Sequence, residues 1–122
     1  MPCSYEIDSA RGLVLVRLAG KFTYADVSAL SETLKNDPRF DPSFSELVDV
    51  TESESAGMPV DRLRELAQHS IYSPQSRRAV LVKRELNFGL ARVYGAYLEI
   101  NGAAGVNVFR DRDEAMRWLG LA

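Results

Sequence analysis

The stretch Ser45–Leu66, SELVDVTESESAGMPVDRLREL, constrains the fold more than any other part of the chain. Leu47, Val48 and Val50 supply a short apolar strand, Asp49 and Thr51 stand at its carboxyl end, a hydroxyl-rich turn follows, and Val60, Leu63, Leu66 and Ala67 recur at helical spacing. A buried strand feeding an amphipathic helix through a tight turn is the repeating unit of an open α/β sheet. In such sheets ligands and phosphates meet the protein at the carboxyl ends of the strands, where backbone N–H groups and helix dipoles point. Asp49 is therefore a strand-end acid to follow.

The rest of the chain repeats that alternation. Tyr5 to Asp8 and Gly12 to Ala19 are strand candidates joined by Ser9-Ala10-Arg11-Gly12, whose glycine can supply a turn's positive φ, so a hairpin is expected. In the second strand only Arg17 interrupts the apolar residues, the pattern of a strand covered on both faces. Thr23 is an N-cap candidate for a helix with Tyr24, Val27, Leu30 and Leu34 on its apolar stripe, Asp26 in its first turn and Lys35 at its end. Two Asp-Pro pairs in Asn36 to Phe44 stop that helix, and Phe40 and Phe44 are expected to pin the link to the core. After the strand Glu46 to Val50, Met58-Pro59 opens a helix whose buried stripe is Val60, Leu63, Ala67 and Ile71. Arg78 to Lys83 is a compact apolar strand, Glu85 to Asn101 the longest helix, and Val106 to Phe109 the last strand. Asp111 opens a final helix, with capping-box spacing to Glu114, in which Ala115, Trp118 and Leu119 pack inward. The order ββαβαβαβα predicts one α/β domain over residues 1–122: a five-stranded, mixed but mostly parallel sheet with four helices.

Composition narrows the partners. With 15 basic and 17 acidic side chains dispersed over 122 residues, no single-sign field exists to capture nucleic acid. The longest apolar run is far short of the roughly 20 residues that span a bilayer, so no integral membrane segment is expected. The N-terminal residues show no secretory pattern and Cys3 is the single cysteine, which together suggest a cytoplasmic protein.

The hairpin, the Gly20 turn into a helix, the strand ending in Asp49, the RAVLVK strand, the FGLARVYGAY helix beginning at Phe88 and the closing VFRDRDEAMRWL beginning at Val108 together resemble the SpoIIAA-like, or STAS-like, proteins of bacteria over nearly the whole chain. Two better-known groups share that fold: anti-sigma-factor antagonists, which bind a kinase and are switched by serine phosphorylation, and CRAL-TRIO lipid-transfer domains. Antagonists carry the modified serine in an Asp-Ser-x-Gly turn. The resemblance places Glu54-Ser55-Ala56-Gly57 there, with Glu for Asp, making Ser55, or failing that Ser53, the phosphoacceptor candidate. The same hydroxyls also suit an ordinary turn.

No P-loop, GxSxG or GxGxxG is present, so no catalytic residue is assigned. Asp49, Glu52 and Glu54 lack metal-loop spacing, and His69 with Cys3 gives too few ligands for zinc, so neither metal nor cofactor is expected. Arg62, Arg64, Arg77, Arg78, Lys83 and Arg84 interleave with Asp61, Glu65 and Glu85 and read as a solvated surface of mixed charge.

The long helix is the anomaly. Leu86, Leu90, Val93, Tyr97 and Ile100 make one apolar stripe and Phe88, Ala91, Tyr94 and Leu98 an adjoining one, more than the ~100° arc that covers a single sheet face. Phe88, Val93, Tyr94, Tyr97 and Leu98 are thus candidates for an interface or an apolar pocket. A homodimer would cover them, with Gly95 and Ala96 allowing close approach; the last helix, through Met116 and Trp118, would cover them within one chain. The leading expectation is a non-enzymatic regulatory or protein-interaction module; the alternative is a binding protein for a small apolar or amphipathic, lipid-like ligand.

Overall fold

The computed structural model describes residues 3–54, 58–103 and 105–121. The elements are β1 (Cys3–Asp8), β2 (Leu13–Leu18), α1 (Tyr24–Lys35), β3 (Ser45–Asp49), α2 (Val60–Gln68), β4 (Arg77–Leu81), α3 (Glu85–Ile100), β5 (Gly105–Phe109) and α4 (Arg112–Trp118). The predicted order ββαβαβαβα holds. The strands lie in the order β1-β2-β3-β4-β5, β1 antiparallel to β2 and every other pair parallel. The hairpin turns at Gly12, whose φ of 60° suits a residue without a Cβ.

Strands that follow one another in sequence and in space, linked by right-handed crossovers, place all their helices on one face. Here α1, α2 and α3 cover the face formed by Val14, Val16, Leu18, Val48, Val80 and Val82. The last helix has no further strand to reach and folds under the other face, where Ala115 and Leu119 meet Leu13, Leu47, Ala79 and Leu81. Both faces of β4 are therefore covered, the physical origin of its unbroken apolar run.

Local signals behave largely as their chemistry dictates. Thr23 caps α1 in a reciprocal box with Asp26: Asp26 N donates to Thr23 Oγ1 at 3.2 Å and Thr23 N to Asp26 Oδ2 at 3.0 Å. Phe40 sits edge-on to Tyr72 with ring centroids 5.3 Å apart, and Phe44 lies under Gly12, so the link is pinned as expected. Pro59 is the N-cap of α2, one residue outside the helix. Three expectations need correction. Asp111 caps α4 by accepting from Asp113 N, with no reciprocal bond from Glu114. Val60 is exposed and Ile71 lies beyond the end of α2, so the helix buries chiefly Leu63 and Ala67.

The third correction concerns α3. Its apolar surplus is covered in part within the chain, Phe88, Leu90, Val93, Tyr94 and Tyr97 staying half-buried, and α4 is not what covers it, because α4 lies on the opposite face. α3 packs on β5 and α2. Leu98 is 1% exposed, and Gly95 faces Val106 of β5 so closely that a Cβ would stand 3.4 Å from Val106 Cγ1. Of the two small residues offered for close approach between copies, Gly95 is thus used on the chain's own sheet, while Ala96 is exposed. Leu86 and Ile100, 61% and 78% exposed, lie at opposite ends of α3 and form no common patch.

Candidate functional site

The helices of the main face do not close over it completely. α1 packs towards the sheet edge on β1, while α2 packs against α3. The middle of the sheet between them is left under a cleft, which explains why Tyr24, Val27 and Leu30 of α1 are only half-buried despite their helical stripe. An inner chamber of about 130 Å³ is lined by Val16, Val48, Val80, Leu30, Leu63 and Leu90, among others. Past Val27, Ser31, Leu66 and Tyr94, which line both spaces, it meets an outer cleft of about 770 Å³ whose wall includes Ser28, Glu32, Lys35, His69 and Ser70. An apolar interior with a polar mouth is the usual layout of a small-molecule site.

A buried charged cluster lies directly behind one end of this cleft: Glu46 and Arg78 line neither space, and Tyr72 and Tyr94 are the wall residues in front of them. Glu46 on β3 and Arg78 on β4 are register partners, so their side chains emerge side by side on the cleft face. The Tyr72 hydroxyl donates to Glu46 Oε2 at 2.8 Å, and its ring lies 4.9 Å from the Arg78 guanidinium carbon. Tyr94 of α3, in the wall of both spaces, stands against the same two charges. Arg78 is 2% exposed, and its Nε and Nη1 have no acceptor among the described residues.

The electrostatics follow from burial. Loss of water raises the Glu46 carboxyl above its ordinary value, against the Tyr72 bond and the Arg78 charge, which favour the ionised form. Burial, with the Glu46 charge adding to it, pushes Tyr94 up to about 12 and carries Tyr72 higher still, so both phenols are neutral donors at physiological pH.

No protein-family model and no curated protein matches this sequence. In three dimensions the chain is similar to an uncharacterised protein from the DUF3478 family of Shewanella loihica PV-4, described as having a SpoIIAA-like fold. The TM-score is 0.64 and the identity 21%, over 96% of this chain and 91% of that one. The fold is SpoIIAA-like. That likeness accounts for the course of the backbone; the chemistry of the SpoIIAA-like cleft has to be read from this chain's own side chains.

The residues singled out in the sequence are dispersed over the SpoIIAA-like scaffold. Asp49 lies on the α4 face, away from the cleft, and is engaged there by its neighbours: it accepts from Thr51 N at 2.8 Å and Thr51 Oγ1 at 2.6 Å, and pairs with Arg112 at 3.3 Å. Ser53 is 3% exposed and accepts from Asn87 Nδ2 at 2.8 Å, an interior contact that a kinase reaches only after it opens. Ser55 lies outside the described residues. Phe88 is half-buried against the main core and flanked by the guanidinium groups of Arg110 and Arg92. Val93 and Tyr97 are half-buried against the main core, and Leu98 is buried. Of the interface or pocket candidates, Tyr94 is the one that reaches the cleft. No group of three His, Cys, Asp or Glu suited to a metal occurs among the described residues, nor is any described helix long and apolar enough to cross a membrane.

Sequence reasoning missed Arg78 and Glu46. Arg78 was assigned to a solvated surface because charged neighbours surround it in sequence. The available signal was period two: Arg78, Val80 and Val82 share one face of the strand, as do Glu46, Val48 and Val50, so a buried valine face predicts buried charges at its end.

Proposed function

We propose that this chain is a non-enzymatic binding module that takes up a small amphipathic ligand in the cleft between α1 and α2. The observation that carries the reading is the continuity of the apolar inner chamber with the wider polar mouth through Tyr94. The inner chamber is close in volume to apolar cavities that accept benzene. Its walls come from valines and leucines that would otherwise be expected to pack against a facing helix, so a guest with an alkyl or aryl body recovers contacts that the fold leaves unmade. The polar groups at its end favour binding over chemistry, since the Tyr72 hydroxyl is already committed to Glu46 and, although Ser28, Ser31, Ser70 and His69 line the outer cleft, no hydrogen bond joins one of these hydroxyls to the imidazole among the described residues.

The test is titration with 1-octanol followed by amide chemical-shift mapping. Saturable shifts at Val16, Val48, Val80 and Tyr94, lost in Val48→Phe without loss of the folded spectrum, support the reading. Shifts scattered over the surface, or none, overturn it. Native mass spectrometry of protein purified from cells gives a second readout, in which a retained small-molecule adduct is expected.

A further inference from the structure

The ligand reading, on which the following rests, leaves the head group open, and the buried cluster narrows it. Arg78 carries a guanidinium that stays charged at any relevant pH. It is 2% exposed, two of its three donor nitrogens find no acceptor, and no ion pair joins it to Glu46 among the described residues. Glu46 is turned to Tyr72 instead. Buried donors are almost always satisfied, and a charged group with two donors left over after its contact with Tyr94 is among the costlier features a fold can carry. A compensating acceptor is the missing partner. Arg78 lines neither space itself, but Tyr72, whose ring lies 4.9 Å from its guanidinium carbon, and Tyr94 both stand in the outer cleft wall, which marks the side from which an acceptor reaches it.

We infer that the cleft selects a small organic monocarboxylate, its head held by Tyr94 and Arg78 and its alkyl or aryl body lying in the inner chamber. A carboxylate offers the negative charge and the acceptor oxygens that a guanidinium takes, whereas an alcohol brings no charge and an amine brings the wrong one. The body fits the same direction. Val80 follows Arg78 on the same strand face, roughly 7 Å along, and continues into the apolar lining, so a chain that starts at Arg78 runs into the chamber rather than out of the mouth.

The experiment compares octanoate, 1-octanol and octylamine by calorimetry and shift mapping, on the wild-type chain and on Arg78→Met, Tyr94→Phe and Lys35→Ala. Octanoate is expected to bind roughly tenfold or more tightly than 1-octanol. Arg78→Met should bring octanoate down to the level of 1-octanol while leaving 1-octanol unchanged, and Lys35→Ala should leave the preference intact. Equal binding of octanoate and 1-octanol in the cleft overturns the head-group inference and leaves the binding-module reading standing. Binding of neither in the cleft overturns both. A preference that vanishes in Lys35→Ala places the head at the mouth and also overturns the inference. Should Arg78→Met fail to fold, the wild-type preference and its reduction in Tyr94→Phe decide the matter.

Discussion

Tyr72 and Glu46, 26 residues apart in sequence, meet in a 2.8 Å hydrogen bond in the interior, with the phenol as donor to a carboxylate that burial holds above its ordinary pKa. Replacing the phenol removes the donor and leaves the carboxylate in place. Tyr72→Phe is expected to cost about 1–3 kcal/mol near neutral pH. The pH dependence has a fixed sign. A carboxyl whose folded pKa is raised contributes stability that is fully present below its unfolded value, about 4.3, and lost as pH rises through the folded value. The Tyr72 bond opposes that rise, so its removal raises the folded pKa further. Urea denaturation should show a larger deficit for Tyr72→Phe near pH 7 than near pH 4; a deficit independent of pH would mean that the bond does not favour the charged form.

Gly89 and Gly95 share α3 but face different surroundings. Gly95 faces Val106 at contact distance, and Gly89 faces open space. Gly89→Ala should stabilise the protein by roughly 0.5–1 kcal/mol, the helix-propensity difference. Gly95→Arg should unfold or severely destabilise the chain, because the side chain has to enter the α3–β5 contact. Thermal denaturation separates this from a dimer-breaking role: a folded Gly95→Arg variant with wild-type melting temperature would show that this face is not packed on β5.

The Asn87–Ser53 bond ties the start of α3 to the segment following β3, which is also held by Gly20 N donating to the Glu52 carbonyl at 3.0 Å and Glu54 N donating to the Gly20 carbonyl at 2.9 Å. Asn87→Leu removes the buried amide and leaves Ser53 Oγ without it, at an expected cost of about 1–3 kcal/mol. Hydrogen exchange at Gly20 and Glu54 should accelerate selectively, and Ser53 should become a better kinase substrate than in the wild type. Unchanged exchange at both amides would show that the backbone pairing holds without the bridge.

Asp37 supplies the acid limb of the stability profile. Side-chain and backbone bonds from Arg39, then the bond from the Tyr5 hydroxyl at 2.9 Å, hold its carboxyl well below the usual range. A depressed carboxyl contributes stability that is present above its unfolded pKa, about 3.9, and lost as pH falls towards the folded value. Asp37→Asn should therefore be less stable than wild type at neutral pH and draw level with it as the solution is acidified below about pH 4. A constant difference across that range would assign the effect of the substitution to packing instead of charge.

How far the sequence reaches is clear from particular residues. The Thr23–Asp26 box, the glycine turn at Gly12 and the pinning of Phe40 follow from chemistry a few residues long, and each was legible. Arg78 was not, because its neighbours in sequence, Arg77 and Lys83, are exposed, and only its place on the valine face of β4 reveals its burial. The surplus on α3 was legible as a surplus. Its cover was not, since that depends on which sheet face α4 takes.

The sequence by itself determined the nine elements, their order and the alternation that sends valines to one face and leucines to the other, because those properties arise from periods of two and 3.6 residues along a local chain. The tertiary structure alone decided that Glu46 and Arg78 stand in register on β3 and β4, that α1 and α2 stand apart over the middle of the sheet, and that Tyr94 links the resulting chamber to its mouth. Register between strands and the spacing of helices are set by contacts between residues far apart in sequence, and no local period encodes a distance of that kind.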